Sequence, residues 1–335
     1  MRISQSVIAI FLSLFYASSA SFAAPIELRF AHNGGPGSLF DASVNEFARR
    51  TNLELPDTYR ITVSGESKLG DDTAILQKIK LGEITFGLPS TVMSSISDVF
   101  GLFELPFLIR NREQVKRIGE TLLEPVLQPE AKRQGFRILA LWENGFRQLT
   151  NNVRPIHRPE DLRGLKIRVP KGQREKVFKE FGAEPVPLAF HEVHEALKAG
   201  TLDGQENPLA QIQGGKFYEV QHYLTLSDHL YTPAYIIVSD EHFSKLPPEV
   251  QAIITRNAKE MQAWIYTTAV RMESDLLDQL GDEMKLNQVD VNAFKTASRP
   301  LYGQFVRSVA GGAKLVEMVD RLGEETTATS AQISR

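Results

Sequence analysis

Pro247-Pro248-Glu249-Val250-Gln251-Ala252-Ile253-Ile254 opens a run whose apolar residues keep helical spacing, through Met261, Ile265, Met272, Leu276 and Leu280, as far as Gly281. At a rise of about 1.5 Å per residue, roughly 33 residues make a rod of about 50 Å. No single small domain needs such a rod. A helix spanning two lobes is the economical reading, and a coiled-coil dimerisation arm is its rival.

Upstream of the rod, strand-like and helix-like stretches alternate as in parallel α/β sheets. Ile26, Leu28 and Phe30 alternate with Glu27 and Arg29 in a first strand. After the loop Gly34-Gly35-Pro36-Gly37, Ser38 caps a helix with Leu39, Phe40, Val44 and Phe47 on its apolar side. Tyr59 to Val63, a helix capped by Asp71, and Ile84 to Leu88 repeat the unit. Further strands are expected over Gly135 to Asn151, Leu165 to Val169, Leu202 to Glu206 and Ala234 to Val238, with a helix over His191 to Ala199. Pro208 stands at a helix start, where its missing N–H costs nothing. This is material for two sheets. The expected division is lobe I over 24–147 plus about 234–265, lobe II over 148–233 plus about 266–322, and a flexible tail over 323–335, where the chain turns polar and small.

The first residues read as an export signal: Arg2 gives a positive start, Val7 to Tyr16 is almost wholly apolar, and Ser21-Phe22-Ala23 supplies small residues for cleavage after Ala23. The apolar run is shorter than the roughly 20 residues a membrane-crossing helix needs. A soluble, exported, periplasmic protein is expected. The 335 residues contain no cysteine, which excludes disulfide scaffolds, thiolate metal sites and cysteine nucleophiles together. A hydrophobic content of 42% is ample for two cores, and a formal charge of −3 argues against nucleic acid as a partner.

Motifs for catalysis fail on inspection. Gly65-Glu66-Ser67-Lys68-Leu69 starts like a nucleophile elbow, but its closing glycine comes one residue late at Gly70. Gly34-Gly35-Pro36-Gly37 has Phe40 where a dinucleotide loop needs its third glycine, and Gly214-Gly215-Lys216-Phe217 lacks the other parts of a P-loop. His191 and His194, beside Glu195, lack the H-E-x-x-H order and read first as an ordinary helical turn, so no metal and no cofactor is expected. Asp71-Asp72 reads as helix capping, with a ligand-facing Asp72 as the alternative. The residue that asks for an explanation is Arg168. It is flanked by Ile167 and Val169 in a strand pattern, and a charge in such a place is rarely left without a partner. No carboxylate offers itself in the same segment, so the missing anion points to a ligand.

Five segments in order carry a specific resemblance. They are Phe103-Glu104-Leu105-Pro106-Phe107-Leu108, Trp142-Glu143-Asn144-Gly145-Phe146-Arg147, Pro159-Glu160-Asp161-Leu162-Arg163-Gly164-Leu165-Lys166-Ile167-Arg168-Val169, Asp203-Gly204-Gln205-Glu206-Asn207-Pro208 and Lys216-Phe217-Tyr218-Glu219-Val220-Gln221. From about Ile26 to the end of the rod, the chain resembles the DctP-like solute-binding proteins of TRAP (tripartite ATP-independent periplasmic) transporters. The resemblance implies a two-lobed α/β clamp of the Venus-flytrap kind, with the long helix spanning both lobes. It implies that Arg168 holds a substrate carboxylate, that Arg147 gives a second contact and Asn207 a hydrogen bond, and that Phe190 stands as an aromatic against the ligand. Glu206 is expected to orient an arginine. The competing readings are a salt bridge to Glu143 or a lobe–lobe contact for Arg147, and a turn residue before Pro208 for Asn207.

Two departures touch the expected cleft: Phe190-His191-Glu192-Val193-His194-Glu195-Ala196-Leu197, where the family commonly has F-S-E-V-Y-T-A-L, and His32-Asn33-Gly34-Gly35-Pro36-Gly37 after the first strand, which brings Asn33 into the candidate set with Asp72. They bear on which acid is bound. The expected function is capture of a small organic acid and its delivery to small and large TRAP membrane subunits, DctQ- and DctM-like, by a monomer without enzymatic turnover. An acid-sensing subunit and an exported hydrolase or lyase are the other readings.

Overall fold

The structure is a computed structural model that describes residues 24–333, and side chains as far as Thr326. The signal peptide expected over residues 1–23 lies outside the described residues. The first sheet is built from β1 (Ile26–Ala31), β2 (Tyr59–Ser64), β3 (Phe86–Gly87) and β4 (Phe136–Phe146), with helices α1 (Leu39–Asn52), α2 (Asp72–Lys80), α3 (Arg112–Leu122) and α4 (Gln128–Arg133) between them. The chain then enters the second lobe with β5 (Gln148–Asn151), β6 (Lys166–Val169), α5 (Arg174–Glu180), β7 (Glu184–Pro187), α6 (Val193–Lys198), β8 (Gly204–Asn207), α7 (Leu209–Gly214) and β9 (Tyr223–Leu226). It returns through β10 (Tyr231–Ser239) and α8 (Asp240–Ser244), and closes with α9 (Pro248–Glu283), β11 (Lys285–Gln288), α10 (Val291–Ser308) and α11 (Gly312–Ile333).

Strand order is β2-β1-β3-β10-β4 in the first sheet and β11-β9-β5-β8-β6-β7 in the second. Neither sheet is purely parallel. β10 runs antiparallel to both β3 and β4, and β5 runs antiparallel to β8 and β9. The reason lies in the connections: β4 to β5 and β9 to β10 pass directly between lobes, with no crossover helix to restore direction.

The first lobe is organised by rings. Phe30, Phe47, Phe86 and Trp142 are fully buried, with Phe30 stacked on Phe86 at 5.3 Å and Phe47 edge-on to Trp142 at 5.4 Å. The Trp142 indole N–H donates to the Ala258 carbonyl at 2.8 Å, which joins β4 to α9. The rod is 36 residues long, and the expected spacing is the buried one: Val250, Ile254, Met261, Ile265, Leu276 and Leu280 face inward. Its first half packs on α1 and β4, while Leu276 and Leu280 join a cluster with Leu224 and Phe217 of the second lobe. The lobe-spanning reading holds.

The C-terminal stretch departs from expectation. Helix α11 runs on through Gly323 to Ile333 in place of a flexible tail. A polar composition signals release only when nothing receives the chain, and here α3 receives it. Gln114 Nε2 donates to the Val319 carbonyl at 2.7 Å, Arg117 pairs with Glu325 at 3.0 Å, and Asn111 Nδ2 reaches Thr326 Oγ1 at 3.1 Å. Gly323 permits the approach, since a Cβ there would lie 2.4 Å from Arg110 Nη1. This also places α11 on the first lobe, outside the lobe II range expected for residues up to 322.

Candidate functional site

Between the two sheets lies a recess of about 400 Å³, its open mouth included. The first lobe contributes Asn33 from the end of β1, Asp72 from the first turn of α2, Ser90 and Thr91 after β3, and Asn144 of β4. Arg168 of β6, Phe190 and Asn207 come from the second lobe, and Arg147 comes from the single residue between β4 and β5. Six of the seven candidate residues therefore converge on one space. The seventh, Glu206, lies behind it.

Arg168 is buried on β6, between β7 and β8, with Val186 and Gln205 as its strand neighbours. Its Nε and Nη2 both donate to the Leu188 carbonyl, at 2.9 and 2.6 Å. Among the described residues no carboxylate lies within ion-pair distance of it. Burial lowers its pKa to about 10, against the pull of the Glu206 charge, so the guanidinium stays charged at neutral pH. One edge is pinned by backbone, and the end-on fork is left to face the recess. Such a fork matches a carboxylate in shape and in charge.

Arg147 is in a different state. Its Nε and Nη2 grip both oxygens of Glu206, with Nη2 to Glu206 Oε1 at 3.0 Å, and Nη2 also reaches the Glu206 carbonyl at 2.7 Å and Asn207 Oδ1 at 3.0 Å. Asn207 passes the contact on by donating to Gln205 Oε1 at 2.6 Å. The alternative pairing of Arg147 with Glu143 is not formed. Glu143 is held by Arg112, at 2.6 to 2.9 Å. The cause is a bulge in β4: pairing with β10 steps from Gly145 opposite Thr232 to Glu143 opposite Pro233, which leaves Asn144 as the extra residue. The bulge aims Asn144 into the recess, where its amide donates to Ser90 Oγ at 3.1 Å.

Asp72 brings a negative charge to the wall opposite. Removal from water pushes its carboxyl up to about 6, outweighing the attraction of Arg168, while neighbouring Asp71 raises it further. A carboxyl with a raised folded pKa favours the protonated fold, so ionisation costs nothing below its unfolded value and costs most above pH 6. Asp72→Asn is expected to raise stability at pH 8 by of order 1 kcal/mol, and the advantage should vanish near pH 4. Thermal melts at the two pH values check this.

Residues 30–308 match the DctP family, described as bacterial extracellular solute-binding protein, family 7. The chain belongs to this family. Its similarity to the 2,3-diketo-L-gulonate-binding periplasmic protein YiaO of Escherichia coli is 28% identity over 328 residues, covering 96% of this chain and all of that one. The sugar acid binding protein DctPAm of Advenella mimigardefordensis, solved with galactonate, superposes with a TM-score of 0.85 at 30% identity, over 90% of this chain and 98% of that one. A TRAP periplasmic solute binding protein of Sulfurospirillum deleyianum with bound succinate gives 0.84 at 28% identity, over 90% and 100%.

In this DctP-family chain the structure adds groups that the segments did not announce. Arg174, fully buried at the start of α5, donates from Nε to Glu104 Oε2 and from Nη1 to Glu206 Oε2, both at 2.6 Å. His229 lies 3.5 Å from the same Glu206 oxygen, and its burial keeps the imidazole below its ordinary pKa. Nothing in Lys171-Gly172-Gln173-Arg174 marks it as buried, because a charged helix start looks the same on a surface. Glu104 did have a signal, the apolar residues around it in Phe103-Glu104-Leu105. His191 is exposed, and His194 pairs with Glu195 at 3.2 Å, away from the recess. Among the described residues no cluster of three metal-ligating side chains is found.

Proposed function

We propose that this TRAP-type solute-binding protein captures a small organic acid by its carboxylate on Arg168 and carries it, chemically unchanged, to the small and large membrane subunits of a TRAP transporter. The observation that carries the reading is the state of Arg168: buried, charged, fixed on one edge by the Leu188 carbonyl, and without a carboxylate partner among the described residues. A buried charge in that state is completed by an anion from outside. Asn207 and Arg147 stand beside it to take further oxygens, and Phe190 offers a flat apolar wall. Asn33, Asp72, Ser90 and Asn144 present amide, carboxyl and hydroxyl groups suited to an acid bearing several oxygens. Of the acids in the names of the relatives, diketogulonate and galactonate are six-carbon sugar acids and succinate is a four-carbon dicarboxylate, and the group common to all three is a carboxylate. Export by a leader cleaved after Ala23 belongs to the same proposal.

A thermal-shift screen over sugar acids, keto acids and dicarboxylates tests it. At least one acid is expected to raise the melting temperature, since a ligand that binds only the native state stabilises it by mass action. That acid should be recovered intact, and it should shrink the radius of gyration in scattering as the lobes close. A panel without any shift would refute the carboxylate reading.

A further inference from the structure

The N-terminus of α5 docks on the other lobe. Gly172 approaches so closely that a Cβ there would sit 2.5 Å from Ser94 Oγ, and its φ of 130° is open only to glycine. Next along the chain, the Gln173 N–H donates to Ser94 Oγ at 3.1 Å and Gln173 Nε2 to Asp98 Oδ1 at 2.9 Å. Arg174 then reaches Glu104. Ser94, Asp98 and Glu104 sit on the 3-10 turns Thr91–Ser95 and Asp98–Glu104, and the second turn is fixed to the first lobe by Phe100 and Phe103, edge-on to Tyr235 of β10. Arg174 and Glu206 belong to the second lobe. One guanidinium thus joins a carboxylate from each side of the seam.

The far carboxylate, Glu206, is the one that holds Arg147 in the recess. We propose that Arg174 is a clasp between the lobes and a positioning residue for Arg147: it closes on Glu104 when the lobes meet and steadies Glu206 behind the cleft arginine. Two arginines share Glu206, and Glu104 supplies the second negative charge. Opening the seam strips Arg174 of Glu104, so the open form carries an unmatched buried or newly hydrated charge and the closed form does not. The clasp therefore acts on ligand escape more than on ligand entry, because dissociation requires the seam to part and association starts with it parted. The dissociation half of this inference rests on the recess being the ligand site; the seam contacts do not.

The test uses the absence of cysteine in the natural chain, which lets two introduced ones carry spin labels without competition. Leu53→Cys on the first lobe and Lys198→Cys on the second are both at exposed positions. Galactonate is the probe, with succinate as its substitute. Glu104→Gln and Arg174→Gln are combined, so that no charge is left buried alone, and circular dichroism confirms the fold. The ligand-free wild-type protein is expected to show a short inter-lobe distance beside a longer, open one. Galactonate should shift it to the short one, and the double variant should lose the short component in the absence of ligand. Galactonate should dissociate at least tenfold faster from the variant, with its association rate unchanged. Arg174→Lys, a single point charge, should restore only part of the difference. A double variant with the wild-type distance distribution and dissociation rate overturns the clasp, as does a loss of the same size in association rate. If wild-type protein binds neither acid, the ligand-free distance distribution alone decides this inference.

Discussion

Arg168→Ala is expected to weaken acid binding by about 2–5 kcal/mol, or roughly thirty- to several-thousand-fold. A ligand held near micromolar would then approach millimolar. The size follows from what is left behind: the acid would still have to shed its water on entering the recess, with no guanidinium to replace it. Arg147 can replace only part of it, because Glu206 and Asn207 already engage its Nε and Nη2 and only Nη1, in a long 3.4 Å contact with Thr232 Oγ1, is left to turn to an acid. Arg168→Lys should keep the charge yet lose most of the affinity, since an ammonium cannot donate to the Leu188 carbonyl through two nitrogens and also present a planar fork. Calorimetry with the acid found in the screen decides the matter. An Arg168→Ala protein that binds it as wild type does removes Arg168 from the site.

The second large effect is on stability. Glu206→Ala strands two buried guanidinium groups, Arg147 and Arg174, around an empty position. Removing one partner of a buried charge pair typically costs about 3–5 kcal/mol, and urea unfolding at pH 7 should show a loss of that order. The pH dependence has a definite sign. Burial alone would raise the Glu206 carboxyl, but Arg147 and Arg174 outweigh it and hold the pKa well below the usual glutamate range. A depressed folded pKa contributes stability that is fully present above the unfolded value near 4.3 and is lost as pH falls below it. The gap between Glu206→Gln and wild type should therefore be wide at pH 7 and narrow below pH 4. Glu104 works the other way, because burial lifts its carboxyl despite Arg174. A gap that stays constant from pH 7 to pH 3.5 would show that Glu206 does not carry the network.

Much of this could be read from local chemistry. The rod from Pro247 announces itself by periodicity alone, and Arg168 by the mismatch between a charge and its apolar neighbours in Ile167-Arg168-Val169. Both signals are contained in a few consecutive residues. What stayed hidden depends on two distant segments meeting. Arg174 and Glu104 are 70 positions apart, and neither is unusual until the lobes are closed on each other. The antiparallel placement of β10 was equally hidden, since a buried strand has the same run of apolar residues in either direction. The stretch from Gly323 is a related case: its polar, small residues read as a tail, and only the side chains of Arg110 and Gln114 reveal Gly323 as a point of close contact.

The one-residue gap between β4 and β5 has a consequence for how this protein can change its ligand. Arg147 occupies the place where the chain passes from one sheet to the other, and it is tied to Glu206 there. Substitution at 147 would alter the pivot together with the chemistry of the cleft. Asn33, Ser90 and Asn144 line the same recess from the first lobe and take no part in the arginine–glutamate network. Divergence toward new acids has cheap steps at these three positions and an expensive one at the pivot, so adaptation should proceed along one wall of the cleft while the other is conserved.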